Sequence, residues 1–195
     1  MKYESLSLDD LFMLAKKGDV TAFEQIVINT EKALFNLALS YLRSREDAED
    51  ATQEIYLRLW RKIPDYRGGG AKVYLFKTAR NICIDMLRHA VSATQPDSLS
   101  LESEGERYER DIEDSDSFSQ PDKAYLRKVK KEALKKCINR LPDHSRELII
   151  LRDVQGLSYA EIGELLSIPE GTVKSRLSRA RERLKELLLE EKDLF

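Results

Sequence analysis

The sequence has few of the residues that interrupt helices, cross-link chains or cross membranes. Two cysteines, five prolines and eight glycines among 195 residues disfavour a disulfide-stapled secreted domain and a turn-rich β-protein. No apolar run reaches about 18 residues, so no membrane insertion is expected. The amino terminus lacks a basic segment followed by an apolar core, and we therefore expect no export signal and a cytoplasmic protein with reduced thiols.

Groups suited to metal binding and catalysis are equally scarce. The two histidines, His89 and His144, have no evident acidic or nucleophilic partner, and no Cys/His cluster has the spacing of a metal site. Cys83 and Cys137 fall on apolar helix stripes, which predicts ordinary core thiols. We therefore expect no cofactor, no metal and no enzymatic activity.

Amphipathic helical patterns fill most of the chain. Before residue 90, apolar residues recur at three- and four-residue intervals in four segments. The predicted helices are an opening helix capped by Ser7 and Asp10 and ended by Gly18, then 20–42 with Thr21 and Glu24 as a possible capping box, 44–62 opened by Ser44 and Asp47, and 71–89. Successive capped amphipathic helices predict a helical bundle.

The third of these helices has a polar strip with one apolar residue set in it. Its members recur at helical spacing and are Asp47, Asp50, Gln53, Glu54, Leu57 and Arg58. A solvated face is sufficient to explain such a strip. The residues alone leave a binding surface as the second interpretation.

A glycine-rich loop, 65–70, precedes the fourth helix. No strand comes before it and no Gly-Lys-Ser/Thr follows, so it is not a phosphate-binding P-loop. Aromatic and basic side chains flank it, namely Tyr66, Tyr74, Phe76, Arg67, Lys72, Lys77 and Arg80. Aromatic faces beside cations are typical of surfaces that hold unstacked bases of single-stranded nucleic acid. The competing interpretation places Tyr74 and Phe76 in the core, and for Phe76 the core is favoured.

The net charge of −2 conceals a segregation of charge along the chain. Residues 1–90 carry +1, residues 91–122 carry −8 and residues 123–195 carry +5. The middle segment is rich in serine and acidic residues and too poor in apolar ones to order itself. It is therefore predicted to be a flexible acidic linker between two folded parts.

After this segment, the pattern returns to helix. A basic helix is predicted over 122–139, with Leu134 among its inward residues, followed by an interruption at Leu141 and Pro142. A further helix over 143–154 is ended by Gly156. These two helices and the two described next predict a four-helix carboxy-terminal domain.

The stretch 157–189 predicts two helices with a tight corner between them. Ser158 and Glu161 can form a capping box that starts the first helix, and Ser167 and Glu170 repeat the pattern around the corner. Gly163 offers a point without a side chain where the second helix can approach closely. Together these features indicate a helix-turn-helix.

The second helix of this pair has a buried stripe and a face rich in hydroxyl and guanidinium groups. The stripe contains Val173, Leu177, Ala180 and Leu184. The opposite face contains Lys174, Ser175, Arg176, Ser178, Arg179, Arg181, Arg183 and Lys185. Guanidinium pairs bidentately with guanine or with phosphate oxygens, so this face suits reading of the DNA major groove. The alternative is a surface helix whose arginines are merely solvated.

Several motifs in this order resemble one known family. They are Asp-Ala-Glu-Asp-Ala-Thr-Gln-Glu-Ile-Tyr-Leu-Arg-Leu-Trp over 47–60, Ala-Arg-Asn-Ile-Cys-Ile-Asp-Met-Leu-Arg over 79–88, Leu141-Pro142, Leu-Ser-Tyr-Ala-Glu-Ile over 157–162, and Gly-Thr-Val-Lys-Ser-Arg-Leu-Ser-Arg-Ala-Arg over 171–181. Over nearly its whole length the chain resembles bacterial RNA polymerase sigma factors of the extracytoplasmic-function group. The final motif alone recurs in other regulators, whereas all of them in this order are specific.

The resemblance implies an all-α protein with two small helical domains joined by an acidic flexible linker. The amino-terminal helical bundle would span 1–90, the linker 91–122, and the carboxy-terminal four-helix domain with the helix-turn-helix 123–195. It also implies a promoter-specificity subunit that binds core RNA polymerase and directs transcription initiation.

The resemblance further assigns residues to three roles. Docking on the clamp helices of the largest polymerase subunit is implied for Asp50, Gln53 and Glu54. Recognition and capture of the melting minus-ten element is implied for Tyr66, Arg67, Tyr74, Lys77, Arg80 and Asn81. Binding of the double-stranded minus-thirty-five element is implied for Lys174, Ser175, Arg176 and Arg179, with a backbone contact from Arg152.

Two further expectations concern partners. Such factors are commonly held inactive by an anti-sigma protein, and the free protein is expected to be a monomer. The competing hypothesis is an ordinary helix-turn-helix regulator whose amino-terminal helices sense a ligand or dimerise. That hypothesis predicts tight operator binding without polymerase and a dimer on paired half-sites.

Overall fold

The computed structural model describes residue 3 and residues 5–93 and 121–190. All regular structure in this part of the chain is helical, and the predicted all-α fold is confirmed. The helices are α1 (Leu8–Lys16), α2 (Val20–Leu42), α3 (Arg45–Lys62), α4 (Ala71–Ala93), α5 (Pro121–Asn139), α6 (Asp143–Ile149), α7 (Tyr159–Leu166) and α8 (Glu170–Glu190). A 3-10 turn, Ile63–Asp65, extends α3, and a π-helical segment, Ile150–Val154, extends α6. No helix among these residues is long and apolar enough to cross a membrane.

The chain divides into two compact units. In the first, α2 packs on α3, α4 packs on both, and α1 closes the bundle against α2 and α4. Its core is formed by the apolar stripes of all four helices, including Leu11, Phe12, Ile26, Leu34, Leu37, Ile55, Leu59, Leu75, Ile82 and Cys83. The second unit contains α5, α6, α8 and most of α7, with α8 packed on α5 and α6.

Two of the predicted helix starts are confirmed by their capping hydrogen bonds. Ser7 and Asp10 form a reciprocal capping box at the start of α1. The Ser44 hydroxyl accepts a hydrogen bond from the Asp47 backbone N–H, 3.2 Å away, at the start of α3. Short-range pairs of this kind are encoded within a few residues, which is why the sequence predicts them.

The capping box predicted for α2 is wrong. The N-cap is Asp19, whose carboxylate accepts from the Ala22 backbone N–H at 3.0 Å. Thr21 already lies inside the helix, so its hydroxyl cannot occupy the N-cap position and pair with Glu24. The predicted span of the helix nevertheless agrees with the observed one.

The boundaries of the predicted linker also change. Helix α4 continues past the predicted end at His89 to Ala93, and α5 begins at Pro121. Both ends of the segment 91–122 are therefore helical. Residues 94–120, on which the rest of the linker prediction falls, lie outside the described residues.

The second unit buries a polar side chain that the sequence does not reveal. Arg146 is only 2 % exposed, and its guanidinium donates to the Asn139 carbonyl oxygen at 3.2 Å and pairs with Asp143. It thereby ties the end of α5 to the start of α6. Leu134, predicted to face inward, is 39 % exposed, because Ala133 and Cys137 form the buried stripe of α5 instead.

Candidate nucleic-acid interface

The first helix of the helix-turn-helix begins as the sequence predicts. The Ser158 backbone N–H donates to a Glu161 carboxylate oxygen at 2.7 Å, and the Glu161 backbone N–H donates to the Ser158 hydroxyl oxygen at 3.2 Å. This capping box satisfies two backbone donors at the start of α7. It therefore sets the position at which α7 begins.

The corner between α7 and α8 is not the second capping box that the sequence predicts. Ser167 has a left-handed backbone with φ 56°, and the Ile168 N–H donates to the Gly163 carbonyl oxygen at 3.0 Å. This is the Schellman arrangement that ends a helix, so Ser167 terminates α7. Pro169, not Ser167, immediately precedes α8.

Gly163 is required by this corner. A Cβ atom at this position would lie 2.9 Å from the Ile168 carbonyl oxygen, closer than real Cβ contacts allow. The predicted close approach at Gly163 is therefore confirmed. The nearest group is the backbone of the turn, and the first residue of the second helix, Glu170, follows with its backbone N at 3.7 Å.

Helix α8 presents the predicted reading face to solvent. Val173, Leu177 and Ala180 are buried as predicted, whereas Leu184 is only half-buried and Leu187 completes the buried stripe. Four predicted DNA-binding residues are exposed on the helix, namely Lys174, Ser175, Arg176 and Arg179. The Ser175 hydroxyl donates to the Thr172 carbonyl oxygen at 3.1 Å, which leaves its oxygen lone pairs available as acceptors.

The basic side chains of α8 fall into two groups. Arg181 donates from Nε to an Asp153 carboxylate oxygen at 3.1 Å, and Arg183 forms an ion pair with Glu186 at 2.7 Å. Within the described residues, Arg176 and Arg179 have neither a hydrogen bond nor an ion pair. The two predicted reading arginines therefore keep their guanidinium donors available.

Two residues of α6 join the reading face. His144 and Ser145 line a shallow cleft of about 300 Å³ together with Arg176 and Arg179. The sequence offers no signal for this, because the cleft depends on how α6 packs against α8. The four lining residues carry two guanidinium groups, an imidazole and a hydroxyl, which are groups that contact phosphate oxygens.

Arg152 has a structural role at the entry to α7. Its guanidinium donates to the Leu157 carbonyl oxygen at 2.7 Å and lies 4.7 Å from the centre of the Tyr159 ring. These contacts hold the turn that leads into the helix-turn-helix. A guanidinium has five N–H donors, so the predicted contact with a DNA backbone stays a prediction.

In the first unit, the glycine-rich loop adopts a backbone that only glycine tolerates well. Gly68, Gly69 and Gly70 have φ values of 85°, 75° and 73°, all in the left-handed region. Asp65 belongs to the 3-10 turn, so the loop spans 66–70 in the structure, and it leads directly into α4. Three consecutive residues of this kind make a tight turn with no side chain of its own.

Tyr66 is misplaced by the sequence prediction. It is only 4 % exposed, and its ring packs edge-on against Phe12 with a centroid distance of 5.1 Å. Its hydroxyl donates to a carboxylate oxygen of Asp9 at 2.7 Å. Burial, followed by this hydrogen bond, raises the pKa of Tyr66, so the hydroxyl remains a donor. The side chain belongs to the core and is unable to stack on a base, because its ring is already covered.

The other predicted minus-ten residues lie around the loop and along α4. Arg67, Lys77 and Asn81 are exposed, whereas Tyr74 and Arg80 are half-buried. Tyr74, Lys77 and Asn81 follow one face of α4 at helical spacing. Phe76 is buried, which confirms the core interpretation for that residue.

The predicted polymerase-docking strip lies on the outer face of α3. Asp50 and Gln53 are exposed, and Glu54 forms an ion pair with Arg58 at 3.2 Å. Leu57, in the middle of this strip, is 52 % exposed. A single exposed leucine is common on protein surfaces, so Leu57 indicates a binding surface only if a second apolar side chain lies beside it.

Trp60, one turn beyond Leu57, extends this surface and was missed as a candidate. It is 43 % exposed and packs edge-on against Phe23 with a ring-centroid distance of 4.8 Å. Its spacing of three residues from Leu57 is a signal that the sequence does contain.

Comparisons with known proteins agree with this architecture. Residues 27–92 match the family Sigma-70 region 2, and residues 131–184 match Sigma-70 region 4. The chain is 30% identical to the RNA polymerase sigma-H factor of Pseudomonas aeruginosa, with 89% of each chain covered. It is 32% identical to the ECF RNA polymerase sigma factor SigW of Bacillus subtilis, over 89% of this chain and 92% of that one.

A solved structure is similar as well. The sigma factor RpoE, in a co-crystal structure with the anti-sigma factor NepR from Bartonella quintana, aligns with a TM-score of 0.64 and 30% identity. The alignment covers 85% of this chain and 96% of that chain.

The two matched regions and the full-length relatives define the class as RNA polymerase sigma factors. The chain belongs to the sigma-70 family, in its extracytoplasmic-function group. As a member of that family it is a DNA-binding transcription initiation factor, which gives RNA polymerase its promoter specificity.

Proposed function

We propose that α8 reads the minus-thirty-five element of the promoter in the major groove. Lys174, Ser175, Arg176 and Arg179 would make the contacts, and Arg152 would contact the DNA backbone. The observation that carries this proposal is the pair of exposed guanidinium groups of Arg176 and Arg179, which have no ion-pair partner among the described residues. Bidentate guanidinium contacts with guanine account for the commonest specific readout of the major groove.

The loop 66–70 and α4 would hold the minus-ten element as it melts. Unstacking a base costs a few kcal/mol, and capture of the exposed base by aromatic and cationic groups can offset this cost. Arg67, Tyr74, Lys77, Arg80 and Asn81 supply such groups, and Tyr66 is removed from this set because it is buried. Opening would thus proceed by capture of flipped bases and not by nucleotide hydrolysis.

The outer face of α3 would dock on the clamp helices of the largest polymerase subunit through Asp50, Gln53 and Glu54. Exposed Leu57 and Trp60 support this proposal, because two large apolar side chains one helical turn apart expose apolar surface beside polar groups, as protein interfaces do. Residues 1–90 carry a net charge of +1, so this part of the chain has little electrostatic attraction for free DNA. Docking on polymerase would bring it to the minus-ten element.

An anti-sigma protein is a further proposed partner. The similar RpoE was crystallised with the anti-sigma factor NepR, and the 30% identity over most of both chains supports the same kind of control here. The free protein is proposed to be a monomer.

Transcription with purified core polymerase tests the central proposal. A pool of random DNA is bound to the reconstituted holoenzyme, and the selected sequences are then used as templates for run-off transcription. Specific initiation that depends on this protein and on two separated sequence elements is the expected result. Selection of sites by the protein without polymerase, in two symmetric half-sites, would support a dimeric regulator instead.

A further inference from the structure

One carboxylate oxygen joins both ends of the glycine-rich loop. Asp9 Oδ1, on α1, accepts a hydrogen bond from the Tyr66 hydroxyl at 2.7 Å. The same oxygen accepts from the Ala71 backbone N–H at 3.0 Å. Tyr66 precedes the three glycines and Ala71 is the first residue of α4. Asp9 therefore closes the loop at its base.

Helix α1 makes two further contacts with the same region. The Lys16 ammonium group donates to the Tyr66 carbonyl oxygen at 2.5 Å, so both the side chain and the backbone of Tyr66 are bound. Phe12 is fully buried and packs edge-on against both Tyr66 and Tyr74, with centroid distances of 5.1 and 6.2 Å. The aromatic cluster and the polar anchor therefore both connect α1 to the loop.

The loop itself offers little that could hold its shape. Its three glycines have no side chains and adopt left-handed backbones, which glycine populates as readily as the right-handed ones. Without an anchor, such a segment has a large conformational entropy, which must be lost when it binds a ligand. An external anchor lowers that cost by ordering the loop beforehand.

We propose that Asp9 is a positioning residue for promoter opening, which holds the loop 66–70 in the shape that receives an unstacked base. Asp9 acts through the Tyr66 hydroxyl and the Ala71 N–H, and α1 thereby contributes to melting without a direct DNA contact. This inference rests on the proposed role of the loop at the minus-ten element.

The first unit contains a matched control for Asp9. Among its contacts, Asp19 accepts hydrogen bonds from the Tyr3 hydroxyl at 2.9 Å and from the Ala22 backbone N–H at 3.0 Å. It thus makes the same two kinds of bond as Asp9, one to a tyrosine and one to the start of a helix. Neither of these partners belongs to the glycine-rich loop, so Asp19→Ala removes an acceptor for a tyrosine and for the start of a helix in the same unit and leaves the loop anchor intact.

The experiment measures promoter opening by the full-length protein with core polymerase, on a promoter selected with the wild-type holoenzyme. Permanganate oxidation of unpaired thymines gives the amount of open complex at saturating holoenzyme. Asp9→Ala is expected to lower it about tenfold, because hydrogen bonds to a charged group are worth more than those between neutral groups. Asp9→Asn retains an acceptor oxygen and is expected to restore opening to within about threefold of wild type. Asp19→Ala is expected to match wild type in this assay.

A second measurement follows the loop directly. Hydrogen exchange at the Ala71 amide should accelerate about tenfold or more in Asp9→Ala and stay unchanged in Asp19→Ala, since only the first loses the acceptor for this amide. If Asp9→Ala fails to fold, Tyr66→Phe removes a single bond of the anchor and should give a smaller loss of opening. It keeps the aromatic ring in place.

The possible failures are distinguishable. Equal opening by Asp9→Ala and Asp19→Ala, or an Ala71 amide that exchanges no faster in Asp9→Ala, would overturn the positioning role. If wild-type holoenzyme melts no selected promoter, the proposed function fails and the inference falls with it. The exchange measurement then still reports whether Asp9 anchors the loop.

Discussion

The two candidate DNA surfaces of this sigma factor are built in opposite ways. The reading face of α8 lies on one continuous helix. The part of the chain that contains this helix, residues 123–195, has a net charge of +5. The minus-ten surface combines a loop with the start of α4, in a part of the chain that carries +1. The first surface lies in a part of the chain whose net positive charge can attract DNA, whereas the second combines a few cations with a shape that other helices impose.

This difference indicates that the two surfaces have different roles in promoter binding. Contacts from cations to phosphates give affinity that falls with salt concentration and is blind to sequence, so the carboxy-terminal surface can find DNA. Residues 1–90 are near-neutral as a whole, and their cations are concentrated around an ordered loop, an arrangement better suited to hold a base that has already been exposed. Docking on polymerase would then position the second surface at the minus-ten element.

The largest expected effect comes from the reading face. Replacing Arg176 and Arg179 together by alanine should weaken holoenzyme binding to its minus-thirty-five sequence on the order of a hundredfold, because each bidentate base contact is worth about 1–3 kcal/mol. Fluorescence anisotropy with labelled duplex DNA measures this. Binding to core polymerase should be unchanged.

Arg183→Ala is the matched control for this pair. Arg183 lies on the same helix but forms an ion pair with Glu186. Its loss should change DNA affinity by less than about threefold, since exposed ion pairs contribute little. An equal loss from Arg183→Ala would remove the distinction between unpaired and paired arginines on which the comparison depends.

A second prediction concerns the turn between α7 and α8, which positions the exposed face of α8. Gly163→Ala should destabilise the second unit by about 1–3 kcal/mol, because the added Cβ would clash with the Ile168 carbonyl oxygen. Gly171→Ala, at a helical glycine with nothing within 4 Å of its Cβ position, should instead stabilise it by about 0.5–1 kcal/mol. Hydrogen exchange of the amides in 159–190 separates the two variants. Similar stabilities would show that the corner tolerates a side chain.

A third prediction concerns docking of the first unit. Gln53→Ala combined with Glu54→Ala should weaken binding to core polymerase about tenfold, through loss of polar contacts that each contribute about 0.5–1.5 kcal/mol. Pull-down with purified core measures this, and binding of the free protein to minus-thirty-five DNA should be unaffected. Glu49→Ala is the control on the same helix, because Glu49 is exposed and pairs with Arg45. Unchanged core binding in the double variant would exclude this face.

The smallest effect tests the extension of the reading face onto α6. His144→Ala should weaken binding to minus-thirty-five DNA about threefold and affect all sequences alike, as expected for a phosphate contact. His89→Ala, an exposed histidine of α4, is the control and should leave this binding unchanged. If His144→Ala lowers the affinity for selected DNA and for random DNA by different factors, His144 contacts bases and not the DNA backbone.

The regular elements and the exposed basic face of α8 could be predicted from the sequence, whereas the reading of DNA by that face stays a prediction. The bounds of α2, the caps at Ser7, Ser44 and Ser158, and the first three members of the buried stripe of α8 all depend on residues within about one or two helical turns of each other. Such short-range hydrogen bonds and periodicities form wherever the residues occur. The family resemblance then follows from the order of the motifs.

Contacts between distant parts of the chain decided the rest. Asp9 and Tyr66 are 57 residues apart, and Asp9 and Ala71 are 62 apart, so no local pattern reports that one carboxylate closes the glycine loop. The burial of Tyr66 follows from the same packing of α1 against the loop. A local pattern sets which residues can form a helix or a turn, but burial and hydrogen-bond partners depend on which other helix covers each face. Only the tertiary structure determines which helix covers each face.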